Sequence, residues 1–295
     1  MPTLRCGFLG LGAMGAHMAR NLHRAGLLTG LWNRTTSKSQ ALAAELSCLA
    51  APDPAALARE CDVLVLCVSA DRDVLQVVEA LGPGLRAGQL IIDCSTVGSE
   101  TAQRAAAAVK PRGLDFLDCP VSGGTEGARD GTLAIMCGGE SAAFERAAPV
   151  LAAMGRTVTL FGPSGAGQAA KATNQIMCAG IIQAVAEAMA FAKAHGLPLQ
   201  SLVETLGKGA GSSWYFVHRA PNMIRGAFPP GFRVRLHQKD LAICRDMAAR
   251  FGVELPVVER MLAEYAELIR RGHGDEDISA DFRLKDELFG GSRVC

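Results

Sequence analysis

The sequence predicts a doubly wound α/β domain over residues 1–163 and an all-α domain over residues 164–290, joined by one long helix. Three observations carry this reading. Short, continuously apolar runs alternate with Ala-rich stretches through the first half, as strands buried on both faces of a parallel sheet do. Beyond Gly162-Pro163-Ser164-Gly165 the β-branched runs stop. From Gln168 to Ala194 the chain reads as a single helix. The length, 295 residues, suits about two domains at roughly 100–200 residues each.

Taken in order, Leu4–Leu9, Leu27–Trp32, Val63–Val68, Leu90–Asp93 and Phe116–Leu117 are the expected strands, with helical segments between them. Met14–Ala25 is the first expected helix, closed by Gly26. The long helix stops at His195-Gly196 with Pro198 just beyond, because Gly accepts the left-handed conformation of a helix end and Pro cannot continue a helix. Gly209–Ser213 and Phe228-Pro229-Pro230-Gly231 then separate helices rather than strands. Gly290–Cys295 is expected to be a frayed tail.

Hydrophobic residues make up 49% of the chain and charged residues 20%; Gly (33) and Pro (13) together stay below the roughly 25–30% of low-complexity chains, which excludes disorder and collagen. Thirty basic against 29 acidic residues, with no Lys/Arg run able to track a phosphate backbone, argue against nucleic acid as a partner. The ten cysteines include no Cys-x-x-Cys pair and no His at ligand spacing, so neither a metal nor a redox dithiol is signalled. Met1–Phe8 lacks a charged segment followed by an apolar one, and Gln183 and Glu187 interrupt the apolar stretch Ile176–Ala192. The expectation is a soluble, cytoplasmic protein with reduced thiols and no membrane partner. The apolar helical domain further suggests a homodimer or homotetramer.

Directly after the first strand comes Gly10-Leu11-Gly12-Ala13-Met14-Gly15, opening the first helix. Gly10 permits a tight turn, Gly12 lets a pyrophosphate approach the backbone, and Gly15 allows close packing of helix on strand. The helix N-terminus, with its unpaired N–H groups and positive dipole end, faces the diphosphate. Where a fold selective for NAD carries a carboxylate for the ribose 2′-hydroxyl, this chain has Asn33-Arg34-Thr35-Thr36. A guanidinium at Arg34, with Asn33 and Thr35 as neutral donors, suits a 2′-phosphate instead, so NADP(H) is the expected cofactor and NAD(H) the alternative. Val68-Ser69 and Asp93-Cys94-Ser95-Thr96 end two further strands at the same crevice, where hydroxyls and backbone can cradle a ribose.

Two runs carry the chemistry. In Asp118-Cys119-Pro120-Val121-Ser122-Gly123-Gly124-Thr125, Ser122, Gly123 and Gly124 offer a hydroxyl and consecutive unhindered N–H groups for a carboxylate. On the long helix, Lys171, Asn174, Gln175 and Cys178 fall at i, i+3, i+4 and i+7, hence on one face of a segment otherwise rich in Ala, Ile and Met. A Lys held in a low-dielectric pocket donates a proton to an oxygen that becomes an alkoxide, while Asn174 or Gln175 orients it or binds the substrate hydroxyl.

These runs, with Gly131-Thr132-Leu133 and Leu236-His237-Gln238-Lys239-Asp240-Leu241, occur in the order seen in the β-hydroxyacid dehydrogenases, which the chain resembles along nearly its whole length. That family includes enzymes of the 3-hydroxyisobutyrate dehydrogenase, 2-hydroxy-3-oxopropionate reductase and glyoxylate/succinic semialdehyde reductase types. The resemblance implies a Rossmann-type first domain and reversible hydride transfer between a nicotinamide and a short 3-hydroxy acid or its semialdehyde. It also implies Lys171 as acid/base, Ser122–Gly124 as the carboxylate site, and Thr96 and Lys239 as cofactor contacts. Some relatives carry Asn four residues after the Lys; here that position is Gln175, and Asn174 precedes it, so Asn174 is the expected substrate-side amide. Ser212-Ser213-Trp214 is similar to the hydroxyisobutyrate enzymes, and the stretch around Phe232 to 2-hydroxy-3-oxopropionate reductase, although Trp214 and Phe232 also read as helical core. Two other readings stand beside this one: a non-catalytic cofactor-binding interaction module of the same fold, and an imine reductase, which usually has another residue in place of the Lys.

Overall fold

The computed structural model describes residues 4–290; apart from Gly290, the expected frayed tail lies outside the described residues. The first unit is built on nine strands: β1 (Cys6–Leu9), β2 (Leu28–Trp32), β3 (Leu49–Ala50), β4 (Val63–Leu66), β5 (Leu90–Asp93), β6 (Asp115–Asp118), β7 (Val121–Ser122), β8 (Leu133–Gly138) and β9 (Gly155–Gly162). They form one sheet in the order β3-β2-β1-β4-β5-β6-β8-β7, with β9 also paired to β8. Every residue of β1, β4 and β5 is buried, which is why those runs are apolar without alternation. Successive side chains serve opposite faces. Phe8, Val65 and Ile92 pack with Met18 and Leu22 of the helix Gly15–Arg24, and Leu9, Leu64, Leu66 and Ile91 with Val74, Val78 and Leu81 of the helix Asp71–Leu81.

Five strands were legible and four were not. β3 and β7 have two residues each, too few to carry a pattern. β9 places Arg156, Thr157, Thr159 and Phe161 at exposed positions, so its apolar content is diluted. The sheet is parallel from β3 through β6, as expected, and departs from this at its far side, where β8 runs antiparallel to β6 and β7. The connection from β7 to β8 contains only the short helix Gly124–Asp130, and a parallel crossover needs a dozen residues or more.

The long helix spans Ala166–Ala194, beginning two residues earlier than its sequence pattern shows. Two compact units divide between Lys171 and Ala172, inside this helix. Its first turn belongs to the sheet. Asp118, at the end of β6, accepts from the Gly165 N–H at 2.7 Å through Oδ1 and from the Gln168 N–H at 3.0 Å through Oδ2. These are the orphan donors every helix start leaves, and the carboxylate also meets the positive end of the dipole. A Cβ on Gly167 would lie 2.4 Å from the carbonyl oxygens of Asp118 and Met136, so glycine alone lets the helix rest on β6 and β8.

In the second unit Ala179, Ile182, Ala186, Met189 and Ala190 of the long helix form the spine of an all-helical core. Around them pack Tyr215, Phe216 and Met223 of Trp214–Arg225, Leu241 of Val234–Ala249, and Met261, Tyr265 and Leu268 of Pro256–Arg270. By length and composition alone Ala166–Ala194 could cross a membrane, with a mean hydropathy of 1.5 over eighteen residues. Asp118→Ala leaves two buried amides without an acceptor and should lower stability by about 2–4 kcal/mol in urea unfolding. Asp118→Asn should recover little, because its NH2 would face the Gln168 N–H that Oδ2 now serves.

Candidate active site

Strand register decides where the site residues stand. Leu9 is level with Trp32 and Leu66, Leu66 with Asp93, and Asp93 with Asp118, so five parallel strands end on one line. The residues that follow them, Gly10, Asn33, Val68, Ser95, Thr96 and Cys119, therefore share the carboxyl edge of the sheet, where open α/β sheets bind ligands.

The Gly10–Gly15 turn has the geometry of a dinucleotide cradle. Gly10 sits at φ +98°, and a Cβ there would lie 2.2 Å from the Cys67 carbonyl oxygen. A Cβ on Gly15 would lie 2.0 Å from the Gly10 carbonyl oxygen. At Gly12 a Cβ would meet no atom within 4 Å, and Gly12 and Ala13 are exposed, so the turn presents open backbone to a diphosphate. Met14, half-buried, immediately precedes the helix Gly15–Arg24.

At the end of β2 the three predicted residues have different surroundings. Asn33 Oδ1 accepts from the Leu11 N–H at 2.8 Å and Asn33 Nδ2 donates to the Thr35 carbonyl at 3.1 Å. Its amide thus ties the glycine turn to the neighbouring strand end instead of standing open as a donor, a task sequence reasoning did not assign. Arg34 is exposed and pairs with Asp73 at 3.0 Å. Thr35, exposed, precedes the helix Thr36–Leu46 without a side-chain cap bond.

At the next strand ends the Val68 N–H donates to Ser95 Oγ at 2.9 Å, Ser69 is exposed and Thr96 is half-buried. Gln168 holds the Ser95–Val97 loop to the long helix: its Oε1 accepts from the Val97 N–H at 3.1 Å and its Nε2 donates to the Ser95 carbonyl at 2.8 Å. Gln168 lies one turn before Lys171 on the same face, so the lysine's backbone is fixed relative to the loop bearing Thr96. Lys171 is 6% exposed. Ser122 ends β7, and Gly123 (φ +136°) and Gly124 (φ +65°) make the left-handed turn that follows, which only glycines adopt without strain. Their run of backbone amides opens the next short helix.

In the second unit, Asn174 Nδ2 donates to Gln175 Oε1 at 2.8 Å and Gln175 Nε2 to Asp240 Oδ2 at 2.7 Å. Lys239 Nζ lies 2.8 Å from Asp240 Oδ1 and lines a groove of about 500 Å³ with Arg235, Gln238, Arg245 and Glu259. Asn174, Gln175 and Lys239 are thus brought together by Asp240, which sequence reasoning passed over although it stood in the quoted Lys239-Asp240 run. Trp214 and Phe232 are outside this line. Trp214 is exposed and stacks on His218 with centroids 4.2 Å apart, and Phe232 is held by its N–H to Asp277 Oδ2 at 3.0 Å, its ring 5.4 Å from that of His237.

Residues 5–162 match the family described as the NAD binding domain of 6-phosphogluconate dehydrogenase, and residues 165–284 that described as NAD-binding of NADP-dependent 3-hydroxyisobutyrate dehydrogenase. The chain belongs to the β-hydroxyacid dehydrogenase family and is an NAD(P)-dependent oxidoreductase. It is 34% identical to the NAD-dependent L-serine dehydrogenase of Pseudomonas aeruginosa over 96% of this chain and 98% of that one. It is 36% identical to the 2-hydroxy-3-oxopropionate reductase of Escherichia coli over 86% of this chain and 87% of the other. The solved 3-hydroxyisobutyrate dehydrogenase of Mycobacterium tuberculosis with L-serine superposes with a TM-score of 0.87 at 32% identity, covering 96% of this chain and 99% of that chain.

Asp93 closes the edge with a buried carboxyl. Its Oδ1 accepts from the Ser95 N–H at 3.0 Å, and Oδ2 meets no hydrogen-bond partner among the described residues. Burial first, and then the charges of Asp118 and Asp71, push it up to about 7. A carboxyl neutral when folded and ionised when unfolded binds the extra proton in the native state. Its contribution to stability is therefore complete below about pH 4 and falls by about 1.4 kcal/mol per pH unit up to about pH 7. Asp93→Asn keeps the acceptor for Ser95 and removes the ionisation. The variant should match the wild type near pH 4 and exceed it at pH 8, read from urea midpoints across that range.

Proposed function

We propose that this protein is an NADP(H)-preferring enzyme that reversibly interconverts a short 3-hydroxy acid and its semialdehyde, of 3-hydroxyisobutyrate or 2-hydroxy-3-oxopropionate type. The observation that carries the reading is Lys171: a buried lysine on a helix tied through Asp118 and Gln168 to the strand ends that bear the glycine turn. The open backbone at Gly12 fits a dinucleotide diphosphate, and the nicotinamide, when bound, supplies or accepts the hydride. Lys171 gives its proton to the substrate oxygen as negative charge builds there, and takes it back in the oxidative direction. Ser122, Gly123 and Gly124 hold the substrate carboxylate, fixing which carbon faces the lysine. Asn174 is the substrate-side amide one turn further along the helix. The names of three relatives support a hydroxy acid of three or four carbons bearing one carboxylate.

Lys171→Ala should lower kcat about 100-fold to 1000-fold while leaving the cofactor dissociation constant within about twofold, because one preorganised donor is lost and the turn that holds the diphosphate is untouched. A normal kcat would remove the assigned role. Cofactor preference rests on Arg34, whose exposed guanidinium can leave Asp73 for a 2′-phosphate. Arg34→Ala should reduce kcat/KM about 10-fold to 100-fold with NADPH and less than about threefold with NADH. A wild type as efficient with NADH as with NADPH overturns the preference.

A further inference from the structure

Four polar side chains of the helical unit form one hydrogen-bonded line. Lys239 meets Asp240 Oδ1 at 2.8 Å, Asp240 Oδ2 accepts from Gln175 Nε2 at 2.7 Å, and Gln175 Oε1 accepts from Asn174 Nδ2 at 2.8 Å. An ionised carboxylate can only accept, so the end of the Gln175 amide facing Asp240 is its NH2 and the end facing Asn174 is its carbonyl. Asn174 must then turn its own NH2 toward Gln175. That NH2 also reaches Cys178 Sγ at 3.5 Å, so both its hydrogens are directed along the helix. What the half-buried Asn174 has left to offer is Oδ1, an acceptor.

We propose that Asp240 is a positioning residue: by fixing the sense of this line it makes Asn174 an acceptor toward substrate. It thereby selects 3-hydroxy acids whose C2 carries a hydrogen-bond donor, a hydroxyl or an ammonium. The inference rests on the reading of Lys171 as proton donor to the reacting oxygen. Asn174 stands about 4.5 Å further along the same helix face. A carbonyl oxygen set against a forming alkoxide would repel it, so the partner of Oδ1 is a donor on the neighbouring carbon and not the reacting oxygen on C3. A methyl group at C2 would cover Oδ1 and leave it without a partner, which is how a site built around one hydrogen bond rejects an analogue lacking it.

The test uses four acids that share the 3-hydroxypropanoate skeleton and differ only at C2: serine (ammonium), glycerate (hydroxyl), 3-hydroxyisobutyrate (methyl) and 3-hydroxypropionate (hydrogen), each with NADP+ and with NAD+. In the wild type, kcat/KM for glycerate or serine should exceed that for the methyl acid about 10-fold to 100-fold; which of the two leads distinguishes hydroxyl from ammonium. In Asp240→Asn the new amide keeps its oxygen toward Lys239 and turns its NH2 toward Gln175. The whole line then reverses, and Asn174 presents NH2. The donor-to-methyl ratio should fall about tenfold, most for serine, whose ammonium cannot accept. Gln175→Met cuts the line while leaving Asp240 in place and should lower the same ratio, so either variant suffices if the other fails to fold by circular dichroism. Because the readout is a ratio within each variant, a general loss of activity does not move it. A wild type that prefers the methyl acid, turnover of none of the four, or a ratio unchanged in both variants overturns the proposal. Lys171→Ala separates the two readings, since its loss of turnover would stand whatever the ratio does.

Discussion

The bond on which the rest of the first unit depends is that between the Asp118 carboxylate and the start of the long helix. Burial raises the cost of that charge and pushes its pKa up, and the Gly165 and Gln168 amides offset the cost at 2.7 and 3.0 Å. A buried carboxylate is tolerated only where such donors converge on it. The helix start lies against the ends of β6 and β8, where a Cβ on Gly138 or Gly167 would clash with the backbone. With the helix start fixed, Gln168 reaches the Ser95–Val97 loop, and the Lys171 backbone follows one turn later. A shift of the helix by one residue would rotate Lys171 by about 100° and remove it from that face.

The same edge is held by acceptor side chains throughout. Asn33 takes the Leu11 amide, and Asp71 takes the Gly98 amide at 2.9 Å and the Thr101 hydroxyl at 2.6 Å. Each anchors a loop through a backbone donor, and Asp71 adds the Thr101 hydroxyl. The level strand ends that bring these groups together also crowd their charges. Asp93 lies beside Asp118 in register, and that proximity, added to its burial, raises its pKa. Burial and the neighbouring carboxyls thus favour the protonated form of Asp93 more than in a free aspartate.

Much of this arrangement was legible in the sequence, and the parts that were not have physical causes. Continuous apolar runs reveal β1, β4 and β5 because burial on both faces leaves no room for polar residues. The glycine turn is legible because its backbone excludes a Cβ at Gly10 and Gly15. β3 and β7 are too short to carry a period, and β9 is exposed along much of its length. Asn33, Asp118, Gln168 and Asp240 were visible as letters, but their partners lie 22, 47, 71 and 65 residues away along the chain. Propensity and periodicity act over a turn or two of chain. A hydrogen bond that closes across a sheet or between helices is set by packing, and no local pattern encodes it.

Asp118 and Asp240 use one property of a carboxylate in two ways. Asp118 faces backbone amides, whose direction the helix already fixes, so its effect is on position. Asp240 faces a side-chain amide, which can turn end for end at little cost when nothing distinguishes its two ends. There the charge decides direction, and the decision passes down the line because each amide that donates at one end accepts at the other. A glutamine at position 175 is suited to this: its two termini meet Asp240 and Asn174 at 2.7 and 2.8 Å, leaving no free end. With Gln175 engaged at both ends, Asn174 at its end of the line is left with Oδ1 to offer. In the proposed reading, the chemistry of that atom is set by Asp240, which need not touch the substrate.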